Sequence, residues 1–170
     1  SRPFGKRGPT AHDRRREGRV RLRSVAREHL FEAELEWTGG ALGPVRDYAG
    51  YSREWTFRQS DREDLVGTAA PAFRGDGSLR NPEDLLLAAV SACHALSFLA
   101  EAAMAKVEIR SYRDRCTARM AFSDGKMRIV EATLRPEVDG DGDLAPLHEK
   151  AHVGCFIANS VNFPIRIQRG

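Results

Sequence analysis

The chain has 170 residues, of which 41% are hydrophobic and 30% are charged, with a net charge of +3. This size fits one domain, or one domain with a tail, and the composition is that of a globular protein, so large multidomain machines and wholesale disorder are excluded. No stretch approaches the roughly 18 consecutive apolar residues that a membrane span needs. The basic N-terminus lacks the apolar segment of a secretory signal, and three cysteines are too few for a disulfide scaffold. We therefore expect a cytoplasmic protein that does not enter a membrane.

The positive charge is concentrated at the N-terminus. Residues 1–27 contain ten Lys and Arg against Asp13 and Glu17, a net charge of +8, which leaves −5 for the remainder of the chain. A basic arm can bind nucleic acid or an anionic surface, but Phe4 is the one aromatic residue between these charges. We expect a weakly ordered arm at residues 1–27 without a nucleic-acid partner, followed by one folded domain at residues 28–170.

Two strands are predicted in the first part of the domain. Apolar and polar side chains alternate over residues 31–38, which is typical of a strand with one buried face. A glycine-rich loop follows, and a second strand is predicted over residues 51–58, where Arg53 interrupts an otherwise aromatic face. Residues 71–80 are rich in glycine and proline and predict an irregular connection.

A long helix is predicted at the centre of the domain. Asn81 can cap its first amides, Pro82 suits the first helical position, and Glu83 and Asp84 lie at the positive end of the helix dipole. Residues 85–104 are apolar on nearly every side, which predicts burial on every face. Because one small domain can hardly bury such a helix alone, we expect a homodimer.

More strands and a second helix are predicted in the rest of the chain. Residues 107–122 and 127–138 form two long strands, and the Ser-Asp-Gly-Lys sequence between them predicts a hairpin turn. A Gly/Asp loop precedes a helix over residues 144–158, and residues 161–167 form a last strand. This order favours an α+β fold with antiparallel sheets over a doubly wound parallel sheet.

Each predicted helix carries a cysteine close to a histidine. Cys93 lies in the middle of the first helix and precedes His94, whereas Cys155 lies near the end of the second helix, after His152. A single buried cysteine is usually a small hydrophobic residue, and we keep that interpretation for Cys116 in a predicted strand. Two cysteines on two core helices favour thiol chemistry.

Two sequence motifs surround these cysteines, Asn81–Leu86 with Ser91–His94, and Ala151–Ser160. Together they resemble the signatures of the OsmC/Ohr hydroperoxide-reductase family, over roughly residues 30–167. The resemblance implies an OsmC-like fold, an intertwined homodimer, and a cofactor-free thiol peroxidase of oxidative-stress defence. It implies organic hydroperoxides as substrates, with hydrogen peroxide as a further candidate. The family suggests a small dithiol, such as a lipoyl group or a lipoylated protein, as reductant.

The resemblance also implies roles for individual residues. Cys93 matches the peroxidatic position, Cys155 the resolving position that closes a disulfide, and Glu83 the acidic partner. The family's arginine follows its first strand, so Arg53 and Arg46 both qualify. We prefer Arg53, because an unpaired charge on an aromatic face would be costly.

The chain departs from the best-characterised members of that family at both motifs. Phe156 follows the second cysteine, where those members have proline, and His94 follows the first. These departures bear on the choice of peroxide and reductant more than on the thiol chemistry.

A peroxidatic cysteine must be ionised, which sets a requirement on the surroundings of Cys93. A thiol with a pKa near 8.5 is only about 3% thiolate at pH 7, and burial lowers that fraction. Cys93 lies about three turns into its helix, too far for the N-terminal dipole to help. We therefore expect a cation from elsewhere in the fold, and an arginine suits this role.

Glu83 cannot reach Cys93 of its own helix, because ten residues correspond to about 15 Å along the helix axis. It is either an ordinary acid at a helix start, or it meets the partner chain's cysteine across a two-fold interface. The apolar helix favours the second alternative. We expect Glu83 to pair with Arg53 beside the thiolate.

Two other interpretations stay open. His148, His152 and Cys155 fall on one helical face and could bind zinc with Cys93 as a fourth ligand, although the sequence contains no Cys-x-x-Cys. A non-enzymatic stress protein with the same fold is the other.

Overall fold

A computed structural model describes residues 28–169, and the predicted basic arm at residues 1–27 lies outside the described residues. The residues from Ala33 onward form one compact unit, which holds all the elements described here. The strands and helices, in chain order, are β1 (Glu34–Glu36), β2 (Trp55–Arg58), β3 (Leu65–Gly67), α1 (Pro82–Ala105), β4 (Ile109–Asp114), β5 (Thr117–Ser123), β6 (Lys126–Leu134), β7 (Pro136–Gly140), α2 (Ala145–Gly154) and β8 (Ile165–Ile167).

Eight strands form three small sheets among the described residues. β2 lies between β1 and β3 in an antiparallel sheet, and β4 pairs with β7, also antiparallel. The third sheet has the order β5-β6-β8, in which β5 and β6 are antiparallel. The predicted α+β class is confirmed, as is the hairpin turn between β5 and β6. The β6–β8 pair is parallel, which the prediction of antiparallel sheets did not include.

The two long strands predicted around the hairpin are each divided in two. The chain leaves the β4–β7 sheet after Asp114 and enters the next sheet at Thr117, and it returns at Pro136. The Asp114 carboxylate accepts hydrogen bonds from the Arg135 backbone N–H at 2.7 Å and from the Ser91 hydroxyl at 2.6 Å. At the break, hydrogen bonds to the Asp114 side chain therefore take the place of backbone pairing between strands. Pro136 has no N–H with which to continue that pairing. The short β3 was not predicted, because its segment is mostly polar.

Helix α1 begins where the sequence predicts. The Asn81 side chain accepts a hydrogen bond from the Asp84 backbone N–H at 2.9 Å, and the Asp84 carboxylate accepts one from the Asn81 backbone N–H at 3.4 Å. These reciprocal bonds satisfy two of the free amides at the helix start. The helix ends before Lys106, which adopts a left-handed conformation with φ of 57°.

Within one chain α1 is buried on one side, and its burial on every face stays a prediction that requires the expected homodimer. Its buried residues form one stripe with a spacing of four: Val90, His94, Phe98 and Ala102. The opposite side stays open, with Leu96 at 68% exposure and Met104 at 70%. Apolar residues all around a helix thus permit burial on every face, but residues 28–169 of one chain supply neighbours for only one face.

Helix α1 also has the length and mean hydropathy, 1.7, of a helix that could cross a membrane. Those two criteria are weak, because core helices of soluble proteins meet them too. Here the buried stripe of α1 packs against α2 and against the sheet of β4 and β7. The core of this layer consists of Phe98, Ala102, Leu147 and Ala151, flanked by Val107, Ile109, Tyr112, Val138 and Leu144.

Helix α2 is shorter than predicted. It ends at Gly154 rather than near residue 158, and Cys155 has extended backbone angles of φ −71° and ψ 112°. A 3-10 turn at Ala158–Ser160 follows. The predicted buried stripe of Leu147, Ala151 and Cys155 is confirmed, with exposures of 5%, 0% and 1%. Cys155 is thus held in the core, but on the first residue after the helix.

Candidate active site

The packing of α1 against α2 brings two of the three cysteines together. Cys93 lies on α1 and is partly buried, and Cys155 lies just beyond the end of α2 and is 1% exposed. The Cys155 thiol lies close enough to the Cys93 sulfur to favour its thiolate form. Both cysteines are free thiols. The structure therefore juxtaposes two thiols that are 62 positions apart in the sequence.

Backbone amides of the turn after α2 surround both sulfurs. The Ile157 N–H donates to Cys93 Sγ at 3.5 Å, and the Ala158 N–H donates to Cys155 Sγ at 3.4 Å. The Phe156 amide and the Ser97 hydroxyl are near enough to lower the pKa of Cys93 as well. Hydrogen bonds to a sulfur that is becoming anionic stabilise the thiolate.

These contacts shift the pKa values of the two thiols in opposite directions. Burial raises the pKa of Cys93, but the hydrogen bonds from the Ile157 amide and from the Cys155 thiol outweigh it, so the pKa lies below its ordinary value. The pKa of Cys155 is raised, first by burial and then by its contact with Cys93. Cys93 is thus the sulfur that ionises first, and Cys155 stays a thiol beside it.

An open cleft of about 470 Å³ leads to Cys93. Its walls are mostly apolar, with Leu96, Ala100 and Phe156 among the lining residues. Glu101 and Lys150 are the charged residues that line it. An apolar cleft beside an ionisable sulfur can accommodate the hydrocarbon part of a reactive molecule.

Arg53, the expected cationic partner, contacts aromatic residues of its own segment. Its guanidinium donates to the Tyr51 carbonyl at 3.0 Å and to the Tyr48 carbonyl at 2.5 Å. Its Cζ lies 4.2 Å from the Tyr51 ring centroid and 4.9 Å from that of Tyr48. Arg46, the alternative, is exposed. Within the described part of a single chain, neither arginine contacts Cys93, so the thiolate is stabilised there mainly by the Ile157 N–H and the Cys155 thiol.

Glu83 lies in the first turn of α1, where the sequence places it. One of its carboxylate oxygens is buried and has no hydrogen-bond partner in residues 28–169. No ion pair between Glu83 and Arg53 occurs within this part of the chain. The structure therefore brings Cys93 and Cys155 together, and it leaves Glu83 and Arg53 apart from them in one chain.

The histidines considered as zinc ligands take another arrangement. His94 Nε2 lies 3.1 Å from His148 Nδ1, and both rings are buried. His152 has a buried Nδ1 without a partner in the described residues. Across residues 28–169, no three His, Cys, Asp or Glu side chains converge in a way that could hold a metal ion. The zinc interpretation thus has no ligand set in this part of the chain.

A family model for OsmC-like proteins matches residues 75–169, which is more than half of the chain. The chain belongs to the OsmC-like protein family. The matched region of this OsmC-like chain includes Glu83 and both paired cysteines, whereas Arg53 and Arg46 lie before it. The search against curated proteins found no match.

Solved structures share the fold of this OsmC-like chain. An OsmC-like protein of unknown function from Vibrio cholerae is 28% identical, with a TM-score of 0.77 over 84% of this chain and 100% of that one. An organic hydroperoxide resistance protein from Elizabethkingia anophelis is 18% identical, with a TM-score of 0.65 and coverages of 85% and 99%. One from Bacillus subtilis is 21% identical, with a TM-score of 0.57 and coverages of 84% and 100%. At these identities the last two are similar in fold alone.

The amide donors at Ile157 and Ala158 are the part of the site that the sequence did not predict. A cation was expected to stabilise the thiolate, because Cys93 lies too far from the N-terminal end of its own helix for the helix dipole to act. Gly154 is the available signal, since glycine commonly marks a helix end and the residues after an end expose free backbone groups.

We predict that iodoacetamide modifies Cys93 at lower pH than Cys155 or Cys116. The Cys93 pKa is lowered, whereas burial raises the pKa of Cys155 and of Cys116. Timed alkylation between pH 5 and 9 followed by peptide mass spectrometry measures the three midpoints. Cys155→Ala, which removes one donor, should move the Cys93 midpoint to higher pH, whereas Cys116→Ala should leave it unchanged. A Cys93 midpoint at or above that of Cys116 would contradict this electrostatic description.

Proposed function

We propose that this chain is a cysteine-based peroxidase that reduces organic hydroperoxides in preference to hydrogen peroxide. The observation that carries the proposal is the contact between Cys93 and Cys155, in which one thiol has a lowered pKa and the other a raised one. A nucleophilic thiolate and a protonated thiol beside it are the two components that a peroxide-reducing thiol cycle needs.

The cycle uses the two sulfurs in turn. The Cys93 thiolate attacks the terminal oxygen of a hydroperoxide, the O–O bond breaks, and the alkoxide takes up a proton and leaves as the alcohol. Cys93 is thereby oxidised to a sulfenic acid. The Cys155 sulfur then attacks Cys93, the S–S bond forms, and the sulfenic hydroxyl leaves as water with the thiol proton. A small dithiol or a lipoylated protein returns both cysteines to thiols and is itself oxidised.

The apolar cleft supports the preference for organic peroxides. Phe156 exposes 81% of its surface beside this cleft, so an alkyl group placed against it removes apolar area from water. Hydrogen peroxide has no such group and gains nothing from these walls. The names of the relatives from Elizabethkingia and Bacillus fit a role in resistance to organic hydroperoxides. We place this role in the cytoplasm, in defence against oxidative stress.

A homodimer with shared active sites is the second part of the proposal. Glu83 has a buried carboxylate oxygen without a partner in its own described chain, and buried carboxylates are normally hydrogen-bonded. The open side of α1 carries exposed apolar residues, including Met104 at 70%. A second copy packed on that side would cover them, and Glu83 would pair with Arg53 beside the cysteine of the partner.

We predict that organic hydroperoxides oxidise Cys93 about 100-fold faster, or more, than they oxidise free cysteine, the order of magnitude that positioned donors give. Stopped-flow measurement with cumene hydroperoxide, tert-butyl hydroperoxide and hydrogen peroxide tests the rate and the preference. Cys93→Ser should abolish the reaction, and Cys116→Ser, the matched control, should retain it. Rates no higher than that of free cysteine would instead favour a non-enzymatic stress protein.

We predict that the oxidised protein carries one intramolecular Cys93–Cys155 disulfide and a free Cys116. The bond requires the two Cα atoms to lie within about 7 Å or to be brought there. Peptide mapping after one equivalent of peroxide identifies the bond. Cys155→Ser should complete one turnover and then accumulate sulfinic and sulfonic acid at Cys93. A disulfide that includes Cys116 would refute the assignment of Cys155.

We predict that an inactive Cys93→Ser chain and a weakly active Glu83→Ala chain restore activity when they are unfolded and refolded together. A mixed dimer has one site with an intact cysteine from one chain and an intact glutamate from the other. An equal mixture should reach about a quarter of wild-type activity, because half of the dimers are mixed and each has one intact site. If the mixture gives only the mean of its two parents, Glu83 does not act across the interface.

A further inference from the structure

Two buried histidines form a polar contact between α1 and α2. His94 Nε2 and His148 Nδ1 are 3.1 Å apart, and the residues are 1% and 4% exposed. The rings are nearly parallel, with an interplanar angle of 8° and centroids 5.4 Å apart. Phe98, one turn further along α1, stacks on the His148 ring at 4.2 Å. A hydrogen bond and a ring stack therefore hold His148 against α1.

Stability alone does not account for this pair. A buried polar group is costly unless it is hydrogen-bonded. The contact satisfies one nitrogen of each ring, and His94 Nδ1 stays buried without a partner in residues 28–169. Leucine at both positions would fill the same space without this cost.

The pair lies close to the two cysteines along both helices. His94 directly follows Cys93 on α1, and His148 precedes Cys155 by seven residues, which is two turns of α2. A hydrogen bond restricts both distance and direction, whereas apolar side chains can slide past one another within van der Waals contact. A hydrogen bond between His94 and His148 thus restricts how far α1 can slide or rotate against α2. It thereby restricts the positions that the two sulfurs can take relative to each other.

We propose that the His94–His148 hydrogen bond is a positioning contact that sets the geometry between Cys93 and Cys155 and so controls how readily their disulfide closes. The inference rests on the proposed function, since it concerns that function's resolving step. Neither histidine touches the reacting atoms, and both act through the packing of α1 on α2.

The pair functions in its neutral form. One ring nitrogen donates and the other accepts, so a single hydrogen lies between them. Burial and the neighbouring His148 and His152 lower the pKa of His94 to about 4, with Asp114 opposing. Burial and Arg169 lower the pKa of His148, again against Asp114.

Closure of the disulfide can be measured without any peroxide. The full-length protein is equilibrated at pH 7 in buffers of reduced and oxidised dithiothreitol. Closing the Cys93–Cys155 bond transfers two electrons and two protons from the two thiols to oxidised dithiothreitol. Alkylation and mass spectrometry give the fraction closed, and hence the equilibrium constant.

The variants separate positioning from stability. His94→Leu should lower this equilibrium constant about fivefold to tenfold, the effect of one lost hydrogen bond. The double variant His94→Leu/His148→Leu, which leaves no imidazole of the pair unpaired, should lower it too and should keep thermal stability equal or higher. His94→Gln keeps a polar group near the Nε2 position and should stay within about threefold of wild type. Leu134→Ala, a control at a fully buried position of β6, should lower stability without changing the constant. His148→Asn and His148→Leu repeat the comparison from α2.

A pH series tests the neutral state. The unfolded chain binds a proton at His94 near pH 6.5 and the folded chain only near 4, so acidification through this window favours the unfolded state. The contribution to stability is complete above pH 6.5 and is lost as the pH falls. Wild type should therefore lose more stability than His94→Gln between pH 6.5 and 4 in urea titrations.

The outcomes distinguish this inference from the peroxidase proposal. The positioning role would be overturned if His94→Leu left the equilibrium constant for disulfide closure unchanged. It would also be overturned if His94→Gln lowered that constant as much as His94→Leu does. The absence of a Cys93–Cys155 disulfide in wild type would overturn it too. A protein that does not react with peroxide but shows the expected order of constants would refute the peroxidase and support the positioning contact.

Discussion

The packing of α1 against α2 is the constraint on which the candidate site depends. Cys93 is on one helix and Cys155 follows the other, so their contact exists only while Phe98, Ala102 and Ala151 keep the helices together. The β4–β7 sheet packs on the same core through Tyr112, whose ring centroid lies 5.6 Å from that of Phe98. Because burial of apolar area drives this packing, the stability of the core and the geometry of the thiols are coupled.

The end of α2 supplies the backbone amides that make the packed cysteines reactive. A helix that continued through Cys155 would use its amides in internal hydrogen bonds, and no N–H would remain for the sulfurs. Because α2 ends at Gly154, the amides of Ile157 and Ala158 are directed at Cys93 and Cys155. Donors of this kind act over hydrogen-bond distance and need no net charge, so the thiolate is stabilised inside a single chain. An arginine from a partner chain would add to this stabilisation rather than create it.

Much of the fold could be predicted because its signals are local. The cap at Asn81, the hairpin before Lys126 and the buried stripe of α2 depend on neighbouring residues, and the structure confirms each. The breaks in the long strands could not be predicted, because they depend on Asp114 reaching the backbone of Arg135 from a distant part of the chain. The amide donors were missed because helix ends are the least certain feature of a sequence-based prediction. The cysteine pair itself was predicted from family resemblance, since no local pattern brings residues so distant together.

The exposed side of α1 and the isolated positions of Arg53 and Glu83 are best explained together. A charged guanidinium held by the carbonyls of Tyr48 and Tyr51 and by their rings is fixed in orientation before any partner arrives. A carboxylate oxygen of Glu83 that is shielded from water gains most from a partner that is already oriented, because little side-chain entropy is then lost on pairing. The buried Glu83 oxygen without a partner costs free energy in the isolated chain, and a second copy that supplied the counter-charge would recover it. Dimerisation would in this way bury the apolar side of α1 and complete the electrostatics of the site in the same step.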